Sequence, residues 1–238
     1  MTTAPDLWHH FGRARAATDR TVPDAFHWIW GQDTGPGAEL LGDITDKTVA
    51  DLGAGAARHA AHLASQHAPA RIDAVDSSAA QHAMATDLYS PLAPRLRLVH
   101  RDVVSHLRAE QGTYDVVYSV FGAVDFTDPR ELLPAAASAL RPGGLLVFST
   151  LAHYLSGAPA QPDVTAADIP AKTADGEATT MRRWVLQERV WTKVLDEAGF
   201  TRVTAEELPA GAGPRAVATL LVTAVLPATT PRACAGHR

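Results

Sequence analysis

The sequence is short of the features that mark secreted, membrane and nucleic-acid-binding proteins. Of its 238 residues one is cysteine, Cys234, and a single thiol builds neither an internal disulfide nor a structural zinc site. The chain therefore carries no adaptation to an oxidising compartment, and no metal is expected. The longest apolar stretch, Ala216–Leu226, is too short to cross a bilayer, so no membrane partner is expected. Met1–Phe11 lacks a basic segment followed by an apolar run; no secretory signal is expected, and the cytoplasm is the expected location. Positive charge is in deficit, with 21 Lys+Arg against 26 Asp+Glu, which argues against a nucleic-acid partner. Arg13, Arg15 and Arg20 form a local basic patch that reads as a solvated helix face.

What is present is ordinary globular composition, 46% hydrophobic and 20% charged, in a chain long enough for one α/β domain. From Val49 to Leu226 strands alternate with helices, the pattern of a mostly parallel sheet covered on both faces. Expected strands begin at Val49 and Arg71, then cover Arg95–His100, Tyr114–Val120 and Leu145–Ser149. Helices are expected over Ala57–His67 and Ala79–Leu88. Another follows Asp128, where Pro129 suits the first helical position and Glu131 completes an acidic capping box. Trp191, Val194, Leu195 and Ala198 mark a last helix, closed by Gly199. The two final strands, near Thr201–Leu208 and Val217–Val225, are joined by a short Gly/Pro connection, which predicts antiparallel pairing. The domain thus spans residues 47–226; an insertion at 151–183, rich in Pro, Gly, Ala and Asp, reads as a loop or a closing lid, and 227–238 as a disordered tail.

The chemistry concentrates at strand ends. In Val49-Ala-Asp51-Leu-Gly53-Ala54-Gly55-Ala, a glycine-rich turn between strand and helix lets the backbone approach a ligand, which then meets free helix N–H groups. Asp76 ends the second strand 25 positions after Asp51, where a carboxylate can take both ribose hydroxyls. Asp102 ends the third strand; it can accept from an adenine amino group while Val103 packs on the ring, although it could equally cap a short helix. A dinucleotide fingerprint would need a small residue where Arg58 stands, so a nicotinamide cofactor is disfavoured.

Taken together, Asp-Leu-Gly-x-Gly, Val-Asp-Ser at the second strand, the Asp after the third, Tyr-Asp-Val-Val-Tyr-Ser and Leu-Arg-Pro-Gly-Gly resemble class I S-adenosylmethionine-dependent methyltransferases over Thr48–Val225. The resemblance implies a Rossmann-like fold with a seven-stranded, mostly parallel sheet whose last strand is antiparallel and whose faces carry helices. It implies that Gly53, Ala54 and Gly55 approach the cofactor's amino-acid part, that Asp76 and Ser77 hold the ribose, and that Asp102 and Val103 hold the adenine. It also implies that Asp51 reaches the ammonium and that Ser119 lies near the sulfonium. Ala57 replaces a glycine that the family often has. The family's Asn/Asp-Pro-Pro-Tyr run, associated with amino-group acceptors on bases and glutamine, is missing at Ser119-Val-Phe-Gly122. A small-molecule substrate is therefore expected.

Residues 1–46 hold three of the five tryptophans and read as an aromatic-rich helical cap, or as a homodimer contact. Phe26, Trp28 and Trp30, with Phe121 and Tyr154, are the expected substrate wall. The stretch from Trp30 to Leu41 is similar to small-molecule methyltransferases of bacterial secondary metabolism, some of which methylate the indole carbon of tryptophan-derived compounds; the high alanine content suits a GC-rich bacterial source. O- or N-methylation of another metabolite, or a non-catalytic cofactor-binding scaffold, are the alternatives. A phenol or indole carbon must also lose a proton, for which histidine is the natural acceptor. Among eleven histidines, His153 after the fifth strand and His27 in the cap are the expected bases, with Tyr118 and Tyr154 in reserve. His59, His62 and His67 on the first helix read as structural or surface groups.

Overall fold

The structure is a computed structural model, and it describes residues 5–211 and 217–228. Its strands are β1 (Thr48–Leu52), β2 (Arg71–Asp76), β3 (Leu96–His100), β4 (Tyr114–Val120), β5 (Leu140–Leu151), β6 (Ala167–Lys172), β7 (Ala178–Arg183), β8 (Thr201–Leu208) and β9 (Thr219–Val225). The helices are α1 (Arg13–Thr18), α2 (Arg58–Gln66), α3 (Ala79–Tyr89), α4 (Val103–Ala109), α5 (Ala123–Phe126), α6 (Pro129–Ala139) and α7 (Glu188–Glu197). Seven strands form one sheet in the order β3-β2-β1-β4-β5-β9-β8. β1 to β5 pair in parallel, whereas β9 runs antiparallel to both β5 and β8. This is the expected architecture, and the chain direction reverses in strand order between β1 and β4.

Alternation along the strands divides the core into two layers. Val49, Ile72, Ala74, Val116 and Tyr118 face α2 and α3, whereas Ala50, Leu52, Val75, Val117 and Phe148 face α4, α6 and α7. Trp191, the largest side chain on the apolar stripe of α7, is fully buried and meets Phe148 edge-on at 5.0 Å. Two of the signals for α6 operate as expected: the Asp128 side chain accepts from the Arg130 N–H, and Pro129 opens the helix, whereas the Glu131 side chain makes no capping bond among the described residues. Past α7, Gly199 adopts φ 90°, which an L side chain resists, and the Phe200 N–H closes on the Leu195 carbonyl. The fifth strand starts earlier than expected, at Leu140, because Leu140 already pairs with Tyr114; Arg141-Pro-Gly-Gly then bulges, with Gly143 at φ 82°, before regular pairing resumes at Leu145.

The β3-β2-β1-β4 half of the sheet is fastened by an ionic network around one buried carboxylate. Asp73 on β2 is fully buried and accepts from Arg97 Nε at 2.8 Å and from the Tyr114 hydroxyl at 2.6 Å. Arg97 also reaches Glu110, and His106 Nε2 lies 2.6 Å from the same Tyr114 hydroxyl. Asp73, His106 and Glu110 have the spacing of a cation site, but the guanidinium of Arg97 already holds both carboxylates. Burial and the adjacent Asp73 push the Tyr114 hydroxyl pKa well up, so it stays a donor. Tyr114→Phe is expected to lower unfolding free energy by about 2 kcal/mol in urea titrations, because it leaves a buried carboxylate one donor short.

Two expectations need correction. Among the described residues, the amino-terminal cap is helical only at α1 and in a 3-10 turn at Ala38–Leu41; Pro23, Gly31, Gly35, Pro36 and Gly37 interrupt any longer helical repeat. The insertion at 151–183 is not a structureless loop, since β6 and β7 pair as a hairpin from Ala167 to Arg183. The expected tail lies from residue 229 onward outside the described residues, as does Cys234. No helix among the described residues is long and apolar enough to cross a membrane.

Candidate active site

Four strands end at one rim. β1, β2, β3 and β4 run parallel, so the turns that follow them open on a single cavity of about 710 Å³, at the strand-order reversal where α/β sheets take ligands. Asp51, Gly53, Ala54, Gly55, Asp76, Ser77, Asp102 and Val103 all line it. The structure thus brings these eight residues together around one cavity.

The glycine turn is shaped by close approach. Gly53 sits at φ 75°, and a Cβ there would lie 2.2 Å from the Ala123 nitrogen and 2.8 Å from the Gly122 carbonyl carbon. Backbone on both sides leaves no room for a methyl group. Gly55 has φ 55° and donates its N–H to Asp76 Oδ2 at 2.8 Å. The other Asp76 oxygen accepts from the Ser78 N–H at 2.8 Å. Each oxygen keeps a lone pair for a further donor. Burial raises the Asp76 pKa, and the two backbone N–H bonds pull against it.

Asp51 is deeper. Tyr118 donates to its Oδ2 at 2.9 Å, and Oδ1 bonds no described residue. Burial pushes its pKa up to about 7; the Tyr118 bond opposes that shift, and nearby Asp76 adds to it. Asp102 caps α4 by accepting from the Ser105 N–H at 2.8 Å, and it also lines the cavity.

An arm covers this rim. Asp6 accepts from the Ser78 hydroxyl at 2.8 Å and from the Ala80 N–H at 3.0 Å. Gln81 Nε2 donates to the carbonyls of Trp8 and Phe11, at 2.8 and 2.9 Å. These bonds set Trp8, Phe11 and Arg15 over the cavity. Trp30 and Phe121 meet edge-on at 5.0 Å, and Phe126 packs edge-on with Trp8 at 4.7 Å. The hairpin adds Ile169, Met181 and Arg183 to the wall.

Several expected residues lie elsewhere. Ser119 is fully buried and donates to the Leu52 carbonyl at 2.7 Å, so it braces β4 to β1 rather than facing the cavity; strand alternation turns it into the core. Phe26 and Trp28 are buried against Tyr118, with Trp28 Nε1 donating to the Gly37 carbonyl at 2.8 Å. Tyr154 packs with Leu151, Val185 and Val217. Of the five expected wall residues, Trp30 and Phe121 line the cavity. Neither expected base does. His153 Nδ1 lies 3.0 Å from the Tyr154 carbonyl in a bridge with Pro159, and His27 Nδ1 lies 3.0 Å from the Gly35 carbonyl. The cavity histidine is His59, in the first turn of α2. Burial, then Arg15 and other nearby positive groups, depress its pKa to about 3, so it stays neutral. Its sequence signal was its place just after the glycine turn.

The sheet order and this rim define a class I methyltransferase fold. Residues 49–144 match the family model described as a methyltransferase domain. It is 29% identical over 154 residues to trans-aconitate 2-methyltransferase of Deinococcus radiodurans, covering 65% of this chain and 51% of that protein. The chain therefore spans about half the length of the curated relatives it matches. Among solved structures it is similar to an S-adenosylmethionine-dependent methyltransferase from Mesorhizobium loti, with TM-score 0.58, 22% identity, and 78% and 94% of the two chains covered. It is also similar to 1,6-didemethyltoxoflavin-N1-methyltransferase of Burkholderia thailandensis, solved with its substrate and S-adenosylhomocysteine, with TM-score 0.52, 20% identity, and 77% and 72% covered.

Proposed function

We propose that this chain transfers the methyl group of S-adenosylmethionine to a flat aromatic small molecule. The observation that carries the reading is the division of one cavity: the glycine turn, Asp51, Asp76 and Asp102 form one half, and Trp30, Phe121 and Phe126 stand in the other. Donor chemistry matches the first half. Asp51 Oδ1 suits an ammonium, Asp76 two ribose hydroxyls, and Asp102 with Val103 an adenine. When bound, the cofactor supplies an activated methyl group on a sulfonium. The chain's contribution is then alignment and exclusion of water: aromatic side chains hold the acceptor plane, and the fastened arm covers the rim. His59, with a pKa near 3, is a poor proton acceptor and a good neutral wall.

The finer reading is an indole-containing, tryptophan-derived acceptor methylated on carbon. Its support is the aromatic wall together with the similarity around Trp30–Leu41. An oxygen or nitrogen acceptor on another metabolite is the alternative chemistry within the same cavity. The contrasting class, a scaffold that binds the cofactor without transfer, has no use for the aromatic half.

Calorimetric titration at pH 8 is expected to give saturable S-adenosylmethionine binding, and Asp76→Asn to weaken it about tenfold, the scale of one charge-assisted hydrogen bond. Absence of binding to the wild-type protein would end the proposal. Binding without transfer of labelled methyl to any of a panel of indoles, phenols and aromatic amines would favour the scaffold.

A further inference from the structure

We infer that Arg183 forms a recognition point for an acidic group, a carboxylate or comparable planar oxyanion, on the acceptor molecule. The inference rests on the methyl-transfer reading and names the class of acceptor that its aromatic half takes.

Arg183 closes β7, is 4% exposed, and lines the cavity. Its Nε donates to Asp125 Oδ2 at 3.1 Å, and Nη2 donates to the same oxygen. Its carbon lies 5.5 Å from the centroid of Trp30 and 5.2 Å from that of Phe126. The two rings and the carboxylate fix the guanidinium plane. Nη1 bonds no described residue, yet it is not among the sealed polar atoms that lack a partner, so it keeps some access in a residue that lines the cavity. A clip for the hairpin would not need it: two apolar side chains fasten as well as a buried ion pair. A held guanidinium with a spare edge is what planar oxyanion recognition uses.

The charge layout points the same way. The carboxylates lining the cavity among the described residues are Asp51 near the end of β1, Asp76 at the end of β2 and Asp102 just after β3. Arg183 stands across the strand-order reversal, beside the turn that follows β4. The other two arginines of the wall, Arg58 and Arg15, both face Asp19, at 2.5 and 3.9 Å. An acidic acceptor is therefore repelled from the adenosyl half and drawn toward Arg183, which sets which end of the flat molecule faces the donor.

The test uses two acid and amide pairs, indole-3-acetate with indole-3-acetamide and 2-naphthoate with 2-naphthamide. Each is titrated into the protein saturated with S-adenosylhomocysteine. The acids are expected to bind about tenfold more tightly than their amides. Arg183→Gln is expected to erase that preference and Arg183→Lys to restore part of it, with S-adenosylhomocysteine binding unchanged in both. Equal binding of acid and amide by the wild-type protein, or binding of neither, overturns the inference without any variant. So does a preference that survives in Arg183→Gln. Failure of S-adenosylhomocysteine to bind at all would instead strike the methyl-transfer reading.

Discussion

S-adenosylmethionine affinity is expected to fall about fiftyfold between pH 7 and pH 5, because a cationic ligand must first find Asp51 ionised. Burial lifts that carboxyl from 3.8 to about 7. In the empty fold it keeps its proton below that value, so each further pH unit lowers affinity by about tenfold. The same shift has a sign for stability. From about pH 4 to 7 the native state holds a proton that the unfolded chain has released, so Asp51 makes the empty fold less stable as pH rises through that window. His59 acts oppositely: depressed to about 3, it loses stability for the fold as pH falls below the ordinary histidine range. The two trends oppose each other between about pH 4 and 6.5, which makes ligand binding the cleaner readout. Calorimetry across pH 5–8 is expected to show the slope in wild type, and weak, pH-independent binding in Asp51→Asn. An identical slope in the variant would remove Asp51 from the ammonium's position.

The second large effect concerns Gly53. Gly53→Ala is expected to cost the fold on the order of 3 kcal/mol, combining left-handed strain with forced separation of two backbones. Loss of measurable cofactor binding should accompany it. The obstruction is main chain, Gly122 and Ala123, which cannot rotate away. Gly55→Ala is the control. Its φ of 55° is also left-handed, but the nearest atom to its added Cβ is Gln81 Oε1 at 3.4 Å. It should cost about 1 kcal/mol. Urea midpoints that coincide for the two variants would show that the approach of the β1 and β4 turns is softer than its geometry implies.

The contrast between these glycines also explains what the sequence revealed. Asp51, Gly53, Gly55, Asp76 and Asp102 were legible because each sits at a strand end, and parallel topology delivers every such end to one rim. Residues inside strands and loops were less so. Ser119 lies one residue before the end of β4, and alternation turned it toward Leu52. The histidines were misjudged for a different reason. His59 owes its place in the wall partly to the arm, which brings Arg15 over it through bonds some seventy residues apart in sequence, from Asp6 and Gln81. The hairpin was hidden because β6 and β7 are largely exposed, and because the alternation in Ala-Asp-Ile-Pro-Ala-Lys is short, rests mostly on alanine and contains Pro170. Arg183, at its end, therefore had no local signal.

Asp73 and its partners lie on the β2–β3–β4 side toward the strand starts, away from the rim. Anchorage and reactivity thus occupy separate territories on one sheet. Replacements at Trp30, Phe121 or Met181, made to retune the chamber for a different guest, leave that anchorage untouched, so the scaffold tolerates redesign of its appetite without surrendering its rigidity.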